Sequence, residues 1–244
     1  MSLPIKILRG HVVFPVRDPE RVRAVFPHVK ISEVRGQFIC AVPHDLSAAR
    51  FFTNQGHPIP SPIVTDYKWP GRFDPYEHQI DTAAFLTLNK RAFLLSGMGT
   101  MKTASTLWAT DYLKEQGEID KTLIVAPLST LDRVWAQEIF QVLPHRRYHV
   151  LHGSRQKRID LLGDTKADYY LINHDGIGII ADLLQDRPDI NHVVIDEIAS
   201  MRSSRTHKFK TMFHILNRQG IPRSAWGLTG TPTPTAPTDC YGQI

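Results

Sequence analysis

From about residue 76 to residue 230 the chain alternates short, fully apolar runs with stretches of helical periodicity. No other feature constrains the fold as strongly. The runs AFLLS (92–96), TLIVAP (122–127), YHVLH (148–152), YYLIN (169–173), HVVIDE (192–197) and AWGLTG (225–230) are strand-sized. Helices are predicted between and around them, over 76–89, 102–116, 129–141, 154–162, 176–185 and 206–218. Strands that are apolar on both faces and separated by helices pair in parallel, with helices covering both sides. The expected class is α/β, a mostly parallel sheet in a three-layer domain.

The first seventy residues read differently. HVVFPV (11–16) and QFICAV (37–42) are predicted strands, and helices open at Asp18 and Asp45, each aspartate serving as N-cap. Pro58, Pro60, Pro62, Pro70 and Pro75 then forbid a continuing helix and favour extended chain. The division expected is a small basic α+β unit with its linker over 1–66, followed by the α/β domain over 67–244. Charge separates the same regions. Residues 1–70 hold nine Lys/Arg against five Asp/Glu, and the remainder holds twenty against nineteen, within a formal net charge of +5. A basic accessory region fits a nucleic-acid partner, although charge alone fits a plain soluble domain better.

Composition excludes other classes. With 42% hydrophobic and 22% charged residues the chain is not disordered. No apolar run nears the roughly 18–20 residues of a membrane span, and the N-terminus lacks a leader's apolar stretch. Cys40 and Cys240 make neither a disulfide framework nor a zinc motif. These features predict a cytoplasmic protein with no membrane partner.

Three segments carry the chemistry. The first is Ser96-Gly-Met-Gly-Thr-Met-Lys-Thr103, a strand end, a glycine-bearing loop and Lys-Thr opening a helix. Loop N–H groups from Gly97, Gly99 and Thr100 and the helix N-terminus can converge on phosphate. Lys102 can reach the β- and γ-phosphates, and the Thr103 hydroxyl can hold Mg²⁺. The strict pattern fails twice, because Ser96 and Met101 stand where it has glycine, and an incidental Gly-Lys-Thr turn also fits. The second is Val193-Val194-Ile195-Asp196-Glu197. In a parallel sheet its carboxylates reach the edge where ligands bind. There Asp196 can hold Mg²⁺ through water and Glu197 can polarise the attacking water. An acidic cap for the next helix is the plainer reading. The third is Leu228-Thr229-Gly230-Thr231-Pro232, which alone is only a turn.

The ordered set PYEHQ (75–79), GMGTMKT (97–103), VAPLSTLDRVWAQEI (125–139), LINHDGI (171–177), VVIDEIAS (193–200) and LTGTP (228–232) resembles the first RecA-like domain of superfamily 2 helicases. It is most similar to the Swi/Snf-type branch of DNA-dependent ATPases, in a form like bacteriophage-encoded DEAD/DEAH-like members. The resemblance covers residues 67–244. It implies that Gln79 reads adenine, with Tyr76 and His78 nearby, and that Lys102, Asp196 and Glu197 are catalytic. It implies ATP and Mg²⁺ as cofactors, the metal held by Thr103 and Asp196. It also implies nucleic-acid contacts at Ser129, Thr130, Asn173 and His174, with Thr229 and Thr231 coupling hydrolysis to DNA movement. Ser129 and Thr130 serve equally well as an ordinary helix cap.

Three departures qualify these expectations. Met101 replaces the glycine before the lysine; if that position needs φ > 0, a Cβ costs about 1–2 kcal/mol. The acidic box reads DEIA, with Ala199 in the fourth position. Nothing after LTGTP supplies the family's second RecA-like domain with its arginine fingers, so the expected partner is such a domain in the same or another chain. The function expected is the ATP-binding portion of a DNA-dependent ATPase that translocates on or remodels double-stranded or branched DNA, weak as the isolated chain. The alternative is a non-hydrolysing nucleotide- or DNA-binding module that needs a partner domain. A small-molecule kinase is a third reading, disfavoured by the Gln79 and LTGTP elements. The stretch over 44–63 loosely resembles accessory modules that precede annealing-helicase motors.

Overall fold

The computed structural model of the chain describes residues 5–97, 99–201, 206–217, 220 and 223–230. The chain divides into two compact units, residues 1–67 and 68–244.

In the first unit, strands β1 (Lys6–Leu8), β2 (His11–Val16), β3 (Lys30–Val34) and β4 (Gln37–Pro43) form an antiparallel sheet in the order β1-β2-β4-β3. Both predicted N-caps are in place. Asp18 accepts from the Glu20 N–H at 3.1 Å ahead of helix Pro19–Val25. Asp45 accepts from the Ala48 N–H at 2.8 Å ahead of helix Leu46–Asn54. That helix ends before Gly56, whose φ of 79° suits glycine. Val12, Phe14, Cys40 and Val42 lie buried on one face of the sheet, where Phe14 meets Phe52 edge-on at 4.9 Å, and Leu46 and Ala49 of the same helix are buried too. Burial pushes the Cys40 thiol pKa up. Two short strands, β1 and β3, were not expected, because each offers the core only one inward residue, Ile7 or Ile31. The proline-rich stretch also differs from expectation, forming one short helix at Ile63–Asp66.

In the second unit, strands β5 (Arg91–Leu95), β6 (Thr122–Ala126), β7 (Tyr148–Val150), β8 (Tyr169–Asn173), β9 (His192–Asp196) and β10 (Ser224–Thr229) form one sheet in the order β5-β10-β9-β6-β8-β7. Every pairing is parallel. Leu123 and Val125 of β6, Tyr170 and Ile172 of β8, and Val193 and Ile195 of β9 share one face. There they meet Leu162, Ile180, Met212 and Ile215 from helices Arg155–Gly163, Ile177–Ile180 and His207–Leu216. The opposite residues Ile124, Leu171 and Val194 are equally buried. On that side the Tyr169 hydroxyl bonds Thr110 at 2.9 Å, tying in helix Lys102–Glu115. No helix of the described residues is long and apolar enough to cross a membrane.

Two predicted helices are broken. The one after β6 runs as Leu128–Thr130, a π-helix over Leu131–Ala136 and an α-helix over Gln137–Val142. The one after β8 is split into short turns, His174–Gly176, Ile177–Ile180 and Leu183–Asp186.

His192 is completely buried, with Nδ1 2.7 Å from Ser224 Oγ and its ring edge-on to Trp226 at 4.3 Å. Nε2 has no hydrogen-bond partner among the described residues. Burial pushes its pKa down to about 3. The unfolded chain, titrating near pH 6.5, therefore takes up this proton first as pH falls. The contribution is whole above about pH 6.5 and is lost progressively towards about pH 3, at about 1.4 kcal/mol per pH unit. Urea unfolding should show about 2 kcal/mol of this loss between pH 6.5 and pH 5, and the slope should flatten in His192→Phe.

Candidate functional site

Because the sheet is parallel, the chain leaves β5, β6, β8, β9 and β10 at one edge, where ligands bind in such sheets. A cleft of about 300 Å³ lies there, lined by Gly99, Thr100, Met101, Lys102, Thr103, Val134, Glu138, Asp196 and Glu197. It joins the segment after β5 to the acidic pair after β9, which lie 93 residues or more apart in sequence.

The loop after β5 owes its shape to two left-handed residues. Gly99 has φ 80° and Met101, capping helix Lys102–Glu115, has φ 53° and ψ 38°. Thr100 Oγ1 donates to the Gly97 carbonyl at 2.9 Å, bracing the turn. Lys102 Nζ donates to the carbonyls of Ser96 at 2.9 Å and Gly97 at 3.3 Å, so the ammonium curls over the loop. Thr103 follows it at the start of the helix and lines the cleft.

On the far wall, Asp196 ends β9, and both of its oxygens are engaged. Oδ2 accepts from Trp135 Nε1 at 2.9 Å, and Oδ1 accepts from the Glu197 N–H at 3.0 Å. Glu197 also sits in the left-handed region, at φ 50°. Non-glycine residues there are uncommon and concentrate at functional sites. Thr229 Oγ1 donates to Glu197 Oε2 at 3.5 Å. Glu138 adds a third carboxyl group to the lining, and burial pushes its pKa up.

Of the residues expected to touch nucleic acid, Ser129 is exposed and Thr130 is half-buried, its hydroxyl donating to the Pro127 carbonyl at 2.9 Å. Three others face inward. Asn173 is buried and its Oδ1 accepts from Arg158 at 3.2 Å. His174 is buried, and its Nε2 donates to the Asp196 carbonyl at 2.8 Å. Nδ1 then accepts from the Ser200 hydroxyl at 3.3 Å, and burial pushes the ring's pKa down, so His174 is a neutral strut under the acidic pair. Thr229 is completely buried beside Glu197. In this conformation all three are engaged within the fold, Asn173 with Arg158, His174 with the Asp196 carbonyl and Thr229 with Glu197. Thr231 lies outside the described residues.

Gln79 is completely buried in the first turn of helix Glu77–Leu88. Its Oε1 accepts from the Tyr76 N–H at 2.8 Å. Its Nε2 has no hydrogen-bond partner among the described residues, which is uncommon for a buried amide. Tyr76 is exposed and stacks on His78, with centroids 5.7 Å apart. A nucleotide and its cation fit these residues: the Gln79 amide lacks a partner among the described residues, Lys102 is held by loop carbonyls, and carboxyl groups line the same cleft as the lysine. Glu138 and Trp135 were not anticipated in these roles. The signal was present as their four- and seven-residue spacings from Leu131 in the quoted segment after β6, but a regular helix would have pointed them elsewhere.

A parallel sheet gathering a Lys-Thr helix start and an Asp-Glu pair at one edge is the architecture of a RecA-like domain. Residues 78–243 match the model of the SNF2-related domain, and the chain belongs to that family. Protein p41 of Acyrthosiphon pisum secondary endosymbiont phage 1 is 32% identical over 176 residues, covering 69% of this chain and 37% of that protein. The Sulfolobus solfataricus SWI2/SNF2 ATPase core in complex with dsDNA shares the fold with a TM-score of 0.58 at 20% identity, over 71% of this chain and 36% of that one. The Sulfolobus solfataricus SWI2/SNF2 ATPase core domain gives 0.54 at 23% identity, over 68% and 33%. The chain thus spans about a third of the length of these relatives.

The loop's backbone makes opposite demands at two positions. Relief of left-handed strain, about 1–2 kcal/mol, outweighs glycine's extra unfolded entropy of about 0.5–1 kcal/mol. Met101→Gly should therefore gain up to about 1 kcal/mol, and Gly99→Ala should lose about as much, in urea unfolding at pH 7.

Proposed function

We propose that this chain is the ATP-binding lobe of a DNA-dependent ATPase that translocates on or remodels DNA. The observation that carries the reading is the meeting of Lys102 and Thr103 with Asp196 and Glu197 around one cleft. Gln79 donates its unpartnered Nε2 to the adenine ring, and the ring of Tyr76 is exposed beside it. N–H groups of Gly97, Gly99 and Thr100 donate to phosphate oxygens. Lys102 exchanges the Ser96 and Gly97 carbonyls for the β- and γ-phosphates, a swap of neutral acceptors for charged ones that strengthens each bond. Thr103 and Asp196 would hold Mg²⁺, which when bound neutralises charge on the transferred phosphoryl group. Glu197, steadied by Thr229, orients water and accepts its proton.

A second RecA-like domain, in the same or another chain, would supply arginine to the cleft. Arginine fingers contribute about 10³–10⁵ in rate in phosphoryl transfer, so the lobe alone should be slow. Ser129, exposed where the chain leaves β6, is the best-placed phosphate contact for DNA. A structural relative in complex with dsDNA supports a duplex partner. Residues 1–66 serve as a small basic accessory unit, and the protein works where DNA is accessible, in the cytoplasm of a bacterial or phage-infected cell.

One observation favours a second reading, a nucleotide-binding module that does not hydrolyse. Met101 holds a left-handed conformation and projects a side chain on the cleft wall. Hydrolysis of ATP by the chain should rise with added duplex DNA and fall by about 10²-fold or more in Lys102→Ala. Met101→Gly should speed it. ATP and DNA binding with no hydrolysis in either the parent chain or Met101→Gly would leave only the binding module.

A further inference from the structure

The segment after β6 is irregular at one place, and that place faces the acidic pair. Residues Leu131–Ala136 are wound as a π-helix, between Leu128–Thr130 and Gln137–Val142. Such wide turns are rare and recur at functional sites. The wide turn buries Trp135 completely and directs its indole N–H at Asp196 Oδ2, 2.9 Å away. The same segment gives Val134 and Glu138 to the cleft lining.

A buried indole N–H needs an acceptor, and a main-chain carbonyl meets that need elsewhere in this chain. Trp108 donates to the Pro70 carbonyl at 2.9 Å and Trp226 to the Asn89 carbonyl at 2.8 Å. Trp135 instead donates to a carboxylate of the cleft. With the Glu197 N–H on Oδ1, each oxygen has one donor among the described residues and the carboxylate plane is fixed. Each oxygen retains a lone pair, the capacity needed to accept from water on a cation.

We propose that Trp135 is a positioning residue for Asp196, its indole N–H fixing the carboxylate in the orientation that binds the nucleotide's divalent cation. This rests on the reading of Asp196 as the Mg²⁺ carboxylate given above. Donors that orient a metal-binding group are worth about 10–100-fold in metal affinity.

The test is binding of a fluorescent ADP analogue to the chain at increasing Mg²⁺, and without Mg²⁺, in wild type, Trp135→Phe, Asp196→Asn and the double variant. Trp135→Phe keeps a buried ring and deletes the N–H. It should raise the half-saturating Mg²⁺ concentration about tenfold while leaving Mg²⁺-free nucleotide affinity within about twofold. The double variant should be no worse than Asp196→Asn, because both changes remove one interaction. Wild-type Mg²⁺ dependence in Trp135→Phe, or effects that multiply in the double variant, would overturn the proposal. An unchanged Mg²⁺ dependence in Asp196→Asn would sink the reading of the site itself, and the proposal with it. The indole N–H resonances of the four tryptophans give a second readout in the unmutated fold. One should shift when Mg²⁺ is added with ADP, and Asp196→Asn should abolish that response. Silence of all four in wild type counts against the proposal.

Discussion

The register of the parallel sheet is the constraint on which the site depends. Leu95 pairs with Thr229, Leu228 with Asp196, Val125 with Ile195 and Ala126 with Asn173. These pairings level the strand ends, so Ser96, Pro127, His174, Glu197 and Gly230 all leave the sheet at one rim. A shift of one residue in β9 would turn Asp196 to the other face and separate it from Trp135. Burial on both faces makes such a shift costly, because Val193 and Val194 alternate between two dry layers. The apolar core and the acidic pair are thus two outcomes of the same ladder.

Around that rim the fold holds polar groups in conformations that the backbone alone would not choose. Met101 and Glu197, both left-handed, face the same cleft. Neutral His174 braces the Asp196 carbonyl from beneath, and Thr229 reaches Glu197 from the adjacent strand. These contacts come from β8 and β10, on either side of the β6–β9 pair that ends at the cleft. The acidic pair is therefore set by four strands and the helix after β6, which suits a site that must hold charges in fixed geometry.

Much of this was readable in the sequence because it follows from local periodicity. The apolar runs located all six parallel strands to within a residue or two, and Asp18 and Asp45 announced their helices. The Lys-Thr and Asp-Glu pairs stood at strand ends, so a parallel sheet was enough to bring them to one edge. What was not legible depends on tertiary packing. Strands β1 and β3 carry too few inward residues to register as alternation. The bonds of Asn173 to Arg158, of His174 to the Asp196 carbonyl and of Thr229 to Glu197 join different strands and helices, and no local pattern announces them. Helical periodicity over 129–141 gave no hint of a π-turn, because one extra residue leaves composition unchanged while rotating everything beyond it.

That extra residue has a further consequence. A π-turn is a dislocation in the helical lattice, one residue more than the regular turn accommodates. It cannot anneal away while both ends of the segment are anchored, by Pro127 at the sheet rim and by Ile139 and Val142 in the core. Moving it along the segment would rotate a residue by about 100° and advance it by about 1.5 Å at each step. A step of that size at Trp135 would carry its indole N–H away from Asp196, so the geometry of the acidic pair depends on where the dislocation sits.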